Sequence, residues 1–274
     1  MKSLSPKSVF PFSILAVLST GLLYFFSTGL EGFSPLVWIA PVPVLVAAMR
    51  STRRAAGVIA FCAFLLGNIN ITGYLSRIEP IGVVIGYLLL PAFAFALVVI
   101  AYRDAIIHLR HPLAFLAFPI GWTAYEYFVS MLLPHWPVAG IEYTQSSFLY
   151  PVQLAALIGI SGVTFILAIV PAGVASAIHS HGKSALIPAV VAFAVLLGAM
   201  AFGRMYPAET GVAGTASIGF LSDVRAGSHP NTVPATGTWF AWLDLLGLFV
   251  LLVAVSSRLM QRSTKGNKHD VSLP

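Results

Sequence analysis

The chain has 274 residues, of which 58% are hydrophobic and 9% charged, and its formal net charge is +6. A soluble domain has roughly a quarter of its residues charged, so this composition, with a mean hydropathy of +0.90, excludes a soluble globular protein and points to lipid as the solvent. The excess of Lys and Arg then reads as membrane topology rather than as a nucleic-acid surface, and no nucleic-acid partner is expected.

A helix that crosses a bilayer core needs about 20 apolar residues. Eight intervals qualify, at 8–29, 33–49, 55–75, 80–102, 112–133, 153–178, 185–206 and 238–257. They predict an all-α fold, a polytopic membrane helix bundle of about eight transmembrane helices. The first follows Lys2 and Lys7 but is longer than a signal-peptide core and is followed by no small-x-small cleavage site, so it is expected to remain as an anchor. The second contains Pro35, Pro41 and Pro43, which predict a broken or tilted helix. In the third, the single cysteine, Cys62, is expected to be a small buried hydrophobe. Asn68 and Asn70, near the same span's end, are expected to bond between helices.

The fifth interval carries an acid, Glu126. An ionisable group inside a span is costly and by default marks a site facing the bundle interior or a watery cavity. The chain then leaves through an aromatic loop, His135 to Gln145, that contains no Lys or Arg. It re-enters at Gln153 with Gly159, Ser161 and Gly162, small residues that suit close helix approach. They do not form a Gly-x-Ser-x-Gly nucleophile elbow, because position 163 is Val. His179-Ser180-His181 has no third ligand nearby and reads as a solvated turn. The five tryptophans, 38, 122, 136, 239 and 242, fall mostly near span ends, where an interfacial belt accounts for them; Trp136 is set apart by its loop.

Residues 207–237 form the longest segment between spans and are rich in Gly, Ser, Thr and Pro. The eighth interval brings a second intramembrane acid, Asp244, and residues 258–274 form a basic tail suited to anionic lipid. With the N-terminus placed in the cytoplasm, 12 of the 15 Lys and Arg fall on that side and only Arg77, Arg204 and Arg225 on the other. Both termini are therefore expected inside. Glu126 and Asp244 then lie in the outer half of the membrane, where with Trp136, Tyr143 and Gln145 they define a candidate outward-facing cavity for a lipid or substrate. Arg77 and Arg204 are placed to meet a phosphate headgroup. No phosphate loop, dinucleotide fingerprint or metal motif is present, so no cofactor and no metal is expected.

Three pieces resemble the membrane domain of apolipoprotein N-acyltransferases: Trp122-Thr-Ala-Tyr-Glu126, Gly140-Ile-Glu-Tyr-Thr-Gln145 and Gln153-Leu-Ala-Ala-Leu-Ile-Gly-Ile-Ser-Gly-Val-Thr-Phe165. The last is similar to the family's Gln-Leu-Ala…Gly-x-x-Gly-Val-Ser-Phe pattern, with Thr164 in place of Ser. Gly32-Phe-Ser-Pro-Leu-Val-Trp38 resembles its early outer turn. Trp136-Pro137 departs from the family's Pro-Trp, and Val129 stands where a basic residue often follows the acid. The resemblance implies residence in the bacterial cytoplasmic (inner) membrane and an activity that moves an acyl chain from phospholipid to a lipoprotein N-terminus.

It also implies a nitrilase-like catalytic domain with a Glu-Lys-Cys triad between spans seven and eight. In this chain that slot is residues 207–237, which contain neither Cys nor Lys, so no catalytic residue carries over. Ser217 to Ser222 resembles the first strand of the nitrilase-like fold, and Thr238 to Leu243 the entry to the final span. The expected organisation is therefore spans one to seven over 1–206, a short outer loop over 207–237, span eight over 238–257 and a tail over 258–274. The leading expectation is an acyltransferase-like membrane protein, inactive alone, that binds phospholipid or lipoprotein acyl chains. The alternatives are the membrane subunit of a split enzyme with a separate nitrilase-like partner, a small lipid or solute transporter using Glu126 and Asp244, or a decayed gene product.

Overall fold

The computed structural model describes residues 6–28, 32–77, 79–109, 111–132, 141, 144–145, 154–180 and 183–205. All the regular secondary structure among these residues is helical, the form in which a single segment satisfies its own backbone hydrogen bonds in lipid. The helices are α1 (Pro6–Ser27), α2 (Val42–Arg50), α3 (Arg53–Gly67), α4 (Thr72–Leu75), α5 (Ile81–Leu109), α6 (Ala117–Leu132), α7 (Ala155–His179) and α8 (Lys183–Met205). Four stretches are long and apolar enough to cross a membrane: Arg53–Ile71, Ile81–Leu109, Ile158–His179 and Ala185–Met205. The interval 238–257, the strand-like piece 217–222 and the tail lie outside the described residues.

The second predicted span is broken where its prolines require. Ser34–Trp38 is a 3-10 turn with Pro35 near its start, and Pro41 caps the nine-residue α2. Short as it is, α2 sits at the centre. It packs against α1, α3, α5 and α7, and every side chain from Val44 to Met49 is buried. The third predicted span also breaks, at Asn68, which caps α3 before a 3-10 turn, Ile69–Ile71, and the single turn of α4.

Around α2 the neighbours run α1 to α3, α3 to α5, α5 to α6, α6 to α7 and α7 to α8. An aromatic cluster locks the first four of these helices together. Tyr24, Phe64, Phe95 and Trp122 place their rings between 4.8 and 6.0 Å apart, mostly edge-on or tilted, in the range where aromatic pairs add to simple burial. Tyr102 of α5 donates its hydroxyl to the carbonyl of Ala172 at 3.0 Å and ties α7 to the same core. On the outside, Ile85, Leu89, Phe93 and Leu97 of α5 and Leu186, Val190, Phe193 and Leu197 of α8 form exposed apolar stripes at helical spacing. Such stripes suit lipid.

Several expectations are corrected here. Trp38 and Trp122 are buried, at 5% and 3% exposure, and not part of an interfacial belt; their rings fill the inside of the bundle. Cys62 is exposed rather than buried, because it lies on the outer face of α3, where an apolar surface needs no cover. Asn70 does bond between helices, donating to the carbonyls of Phe25 and Thr28, whereas Asn68 donates to Phe64 of its own helix. Gly159 has φ 75 and ψ 173 and interrupts α7 with a kink, a backbone region open essentially to glycine alone. A close helix approach lies further on, at Gly173, where a Cβ would meet the carbonyl oxygen of Pro188 at 2.6 Å and Ala192 at 2.8 Å.

Candidate functional site

Side-chain contacts define two opposite ends of the bundle. At one, the end of α1 meets the end of α3 through Thr28 and Asn70, and the end of α6 meets the first half of α7. At the other, the α2–α3 turn meets the second half of α5 through Arg103 and Ser51.

Glu126 lies at the first end, on α6, and is half-buried. Its two carboxylate oxygens serve different elements. Oε1 accepts from the backbone N–H of Ile141 at 3.0 Å, and Oε2 accepts from the hydroxyl of Thr164, on α7, at 2.7 Å. Hydrogen bonds to an ionised carboxylate are among the stronger ones. The acid therefore clamps a loop residue and two helices at one point.

The network continues through the loop. The carbonyl of Ile141 accepts from the Thr144 hydroxyl at 2.6 Å, and the Thr144 oxygen accepts from the Gln145 amide at 2.9 Å. Gln145 is fully buried, and the rest of its amide is engaged as well. Its Nε2 donates to the carbonyl of Ser34 at 3.1 Å, and its Oε1 accepts from the indole N–H of Trp38 at 3.2 Å. One chain of hydrogen bonds thus runs from α7 through Glu126 and the loop to the 3-10 turn that opens the second span.

Of the residues expected to share a cavity, Glu126 and Gln145 are brought together by this network. Arg77, two residues beyond α4, and Arg204, in the last turn of α8, are both exposed. Trp136, Tyr143 and Asp244 lie outside the described residues. Sequence reasoning missed Thr164, Thr144 and Ser34, small polar residues whose partners are remote in the chain. It also missed two polar groups one helical turn below the acid: the indole N–H of Trp122 and the hydroxyl of Thr123 are buried and without a partner among the described residues. Their spacing from Glu126, four and three positions back on α6, is the signal that could have found them.

The profile of the apolipoprotein N-acyltransferase N-terminal domain matches residues 20–173, more than half of the chain. The chain belongs to the apolipoprotein N-acyltransferase family. Every residue of the hydrogen-bonded network falls inside the matched region. An apolipoprotein N-acyltransferase of Geobacter metallireducens is 32% identical over 166 residues, covering 57% of this chain and 31% of the relative. The chain thus matches about a third of the length of that acyltransferase.

Proposed function

We propose that this chain is an eight-span inner-membrane protein, with both termini in the cytoplasm, that binds phospholipid or lipoprotein acyl chains in an outward-facing cavity. The observation that carries the reading is the Glu126 network, which lies within the family-matching region and holds the loop residues Ile141 and Gln145 against three helical elements. In this reading Glu126 and Gln145 are positioning residues. They fix the loop that carries Trp136 and Tyr143 at the cavity mouth, with Asp244 entering from the eighth span. Trp122 and Thr123 offer a ligand polar contacts deeper in, and Arg77 and Arg204 flank the site for a headgroup phosphate. Lipid binding by the purified chain tests it, using phosphatidylethanolamine carrying a photoreactive acyl chain. Crosslinks in the 133–145 region that fall on Glu126→Gln and Trp136→Ala support the cavity; unchanged crosslinking in both variants removes it.

A second reading is favoured by the 31 residues at 207–237, which contain no Cys and no Lys. A thiolate nucleophile with its base would then come from a separate nitrilase-like protein, with this chain as the membrane subunit. Mass spectrometry of lipoprotein N-termini separates the two, in cells depleted of their own N-acyltransferase. Triacylated N-termini restored by this chain alone mean that a partner or another nucleophile in the host completes it. N-termini that stay diacylated, while the chain accumulates, mean that this chain alone is not the enzyme in that host, and lipid binding becomes the question.

A further inference from the structure

The end of the bundle opposite Glu126 is strongly basic. Arg50 closes α2, Arg53 and Arg54 open α3, and Arg103 comes from α5. Among the described residues one buried carboxylate, Asp104, pairs with two of them, at 3.4 Å from Arg53 Nε and 3.0 Å from Arg103 Nη1. Arg103 also donates from Nε to the carbonyl of Ser51 at 2.9 Å and is largely covered. It acts as the foundation of the turn. Arg50, Arg53 and Arg54 stay exposed, with the Arg50 guanidinium 5.1 Å from the centre of the Phe12 ring. Three guanidinium groups therefore share a turn of five residues, and among the described residues Asp104 is the carboxylate paired with it, through Arg53.

The surface below these charges distinguishes a lipid from a soluble anion. Val58 follows Arg54 by one helical turn on the same face and is 63% exposed. Leu15, one turn on from the Phe12 beneath Arg50, is also 63% exposed. Arg50 and Arg54 thus each stand above an exposed apolar surface, so the patch matches an amphiphile with an anionic head and hydrocarbon tails. We propose that the Arg50–Arg53–Arg54 turn is a binding site for an anionic phospholipid of the leaflet at this end, separate from the cavity at the Glu126 end. With the orientation given above, this is the cytoplasmic leaflet.

The test is native mass spectrometry of the full chain released from detergent with equal amounts of phosphatidylglycerol or phosphatidylcholine. The wild-type chain retains phosphatidylglycerol in preference. Arg50→Gln with Arg54→Gln weakens that retention by roughly fivefold for each arginine removed and leaves phosphatidylcholine unchanged. Arg50→Lys with Arg54→Lys, which keeps the charges, restores most of it. The positions are exposed, and an unchanged melting temperature confirms that each variant is folded. Equal retention of the two lipids, or a preference that survives the double Gln variant, overturns the proposal. Loss of the preference in millimolar inorganic phosphate overturns the lipid assignment in favour of a soluble anion. Its loss in Glu126→Gln, at the far end, overturns the location.

Discussion

Thr164 donates its hydroxyl to Glu126 across 2.7 Å, joining α7 to α6. The same carboxylate holds Ile141 with its other oxygen. The acid is therefore bonded in two directions, and its cost in a membrane bundle is offset by two donors. The hydroxyl is the part of Thr164 that Glu126 uses.

Thr164→Val retains shape and removes the donor. It is expected to destabilise the protein by about 1.5–3 kcal/mol, the range for hydrogen bonds to a charged group. Thr164→Ser loses only a methyl group, worth about 0.8 kcal/mol when buried. Thermal unfolding in one detergent, read by loss of soluble monomer, ranks wild type, Ser and Val in that order. A Val variant as stable as wild type shows that the bond contributes nothing.

Gln145→Leu removes the group that caps both Ser34 and Trp38. Leaving a buried donor or acceptor unsatisfied costs about 1–3 kcal/mol, so this variant is expected to lose at least that much. Combining it with Trp38→Phe removes the orphaned indole N–H, and the two changes should cost less together than their sum, with a coupling of about 0.5–3 kcal/mol. Additive losses break the proposed pairing. Hydrogen exchange at Ser34–Trp38 should rise in Gln145→Leu.

The helices were legible in the sequence because a bilayer imposes their length and apolar character one segment at a time. The break at Pro41 followed from the same local reasoning. The network was not legible, because it depends on which face of each helix turns inward. Gln145 and Trp38 are 107 residues apart, and Glu126 meets Thr164 across 38. Position near a span end suggested that Trp38 and Trp122 sit at the interface. Helix rotation instead points both rings inward, Trp122 into the cluster of Tyr24, Phe64 and Phe95. The acid stood out because it is expensive in lipid, whereas its hydroxyl partner is an ordinary residue in a membrane helix.

Two glycines make opposite predictions. Gly159 sits at φ 75 inside α7, and Gly159→Ala is expected to cost about 1–3 kcal/mol through backbone strain and to disturb the start of the helix that carries Thr164. Gly198 lies inside α8 with open space where a Cβ would go, and Gly198→Ala should stabilise by roughly 0.5–1 kcal/mol. Melting temperatures shifting in opposite directions check both at once. A neutral Gly159→Ala shows that the kink is not required.

Asp104 separates stability from charge at the basic end. Its side chain is 8% exposed and its carboxylate lies between Arg53 and Arg103. Asp104→Asn leaves Arg103 covered and without its counter-charge. The expected loss is about 3 kcal/mol, the lower end for breaking a buried pair because Arg53 is half exposed and can turn to water. The same substitution raises the local positive charge by one, so phosphatidylglycerol retention should strengthen even as the melting temperature falls. A merely structural turn would lose stability and lipid together. Opposite movement of the two readouts follows only if the arginines that Asp104 restrains are the groups that hold the lipid.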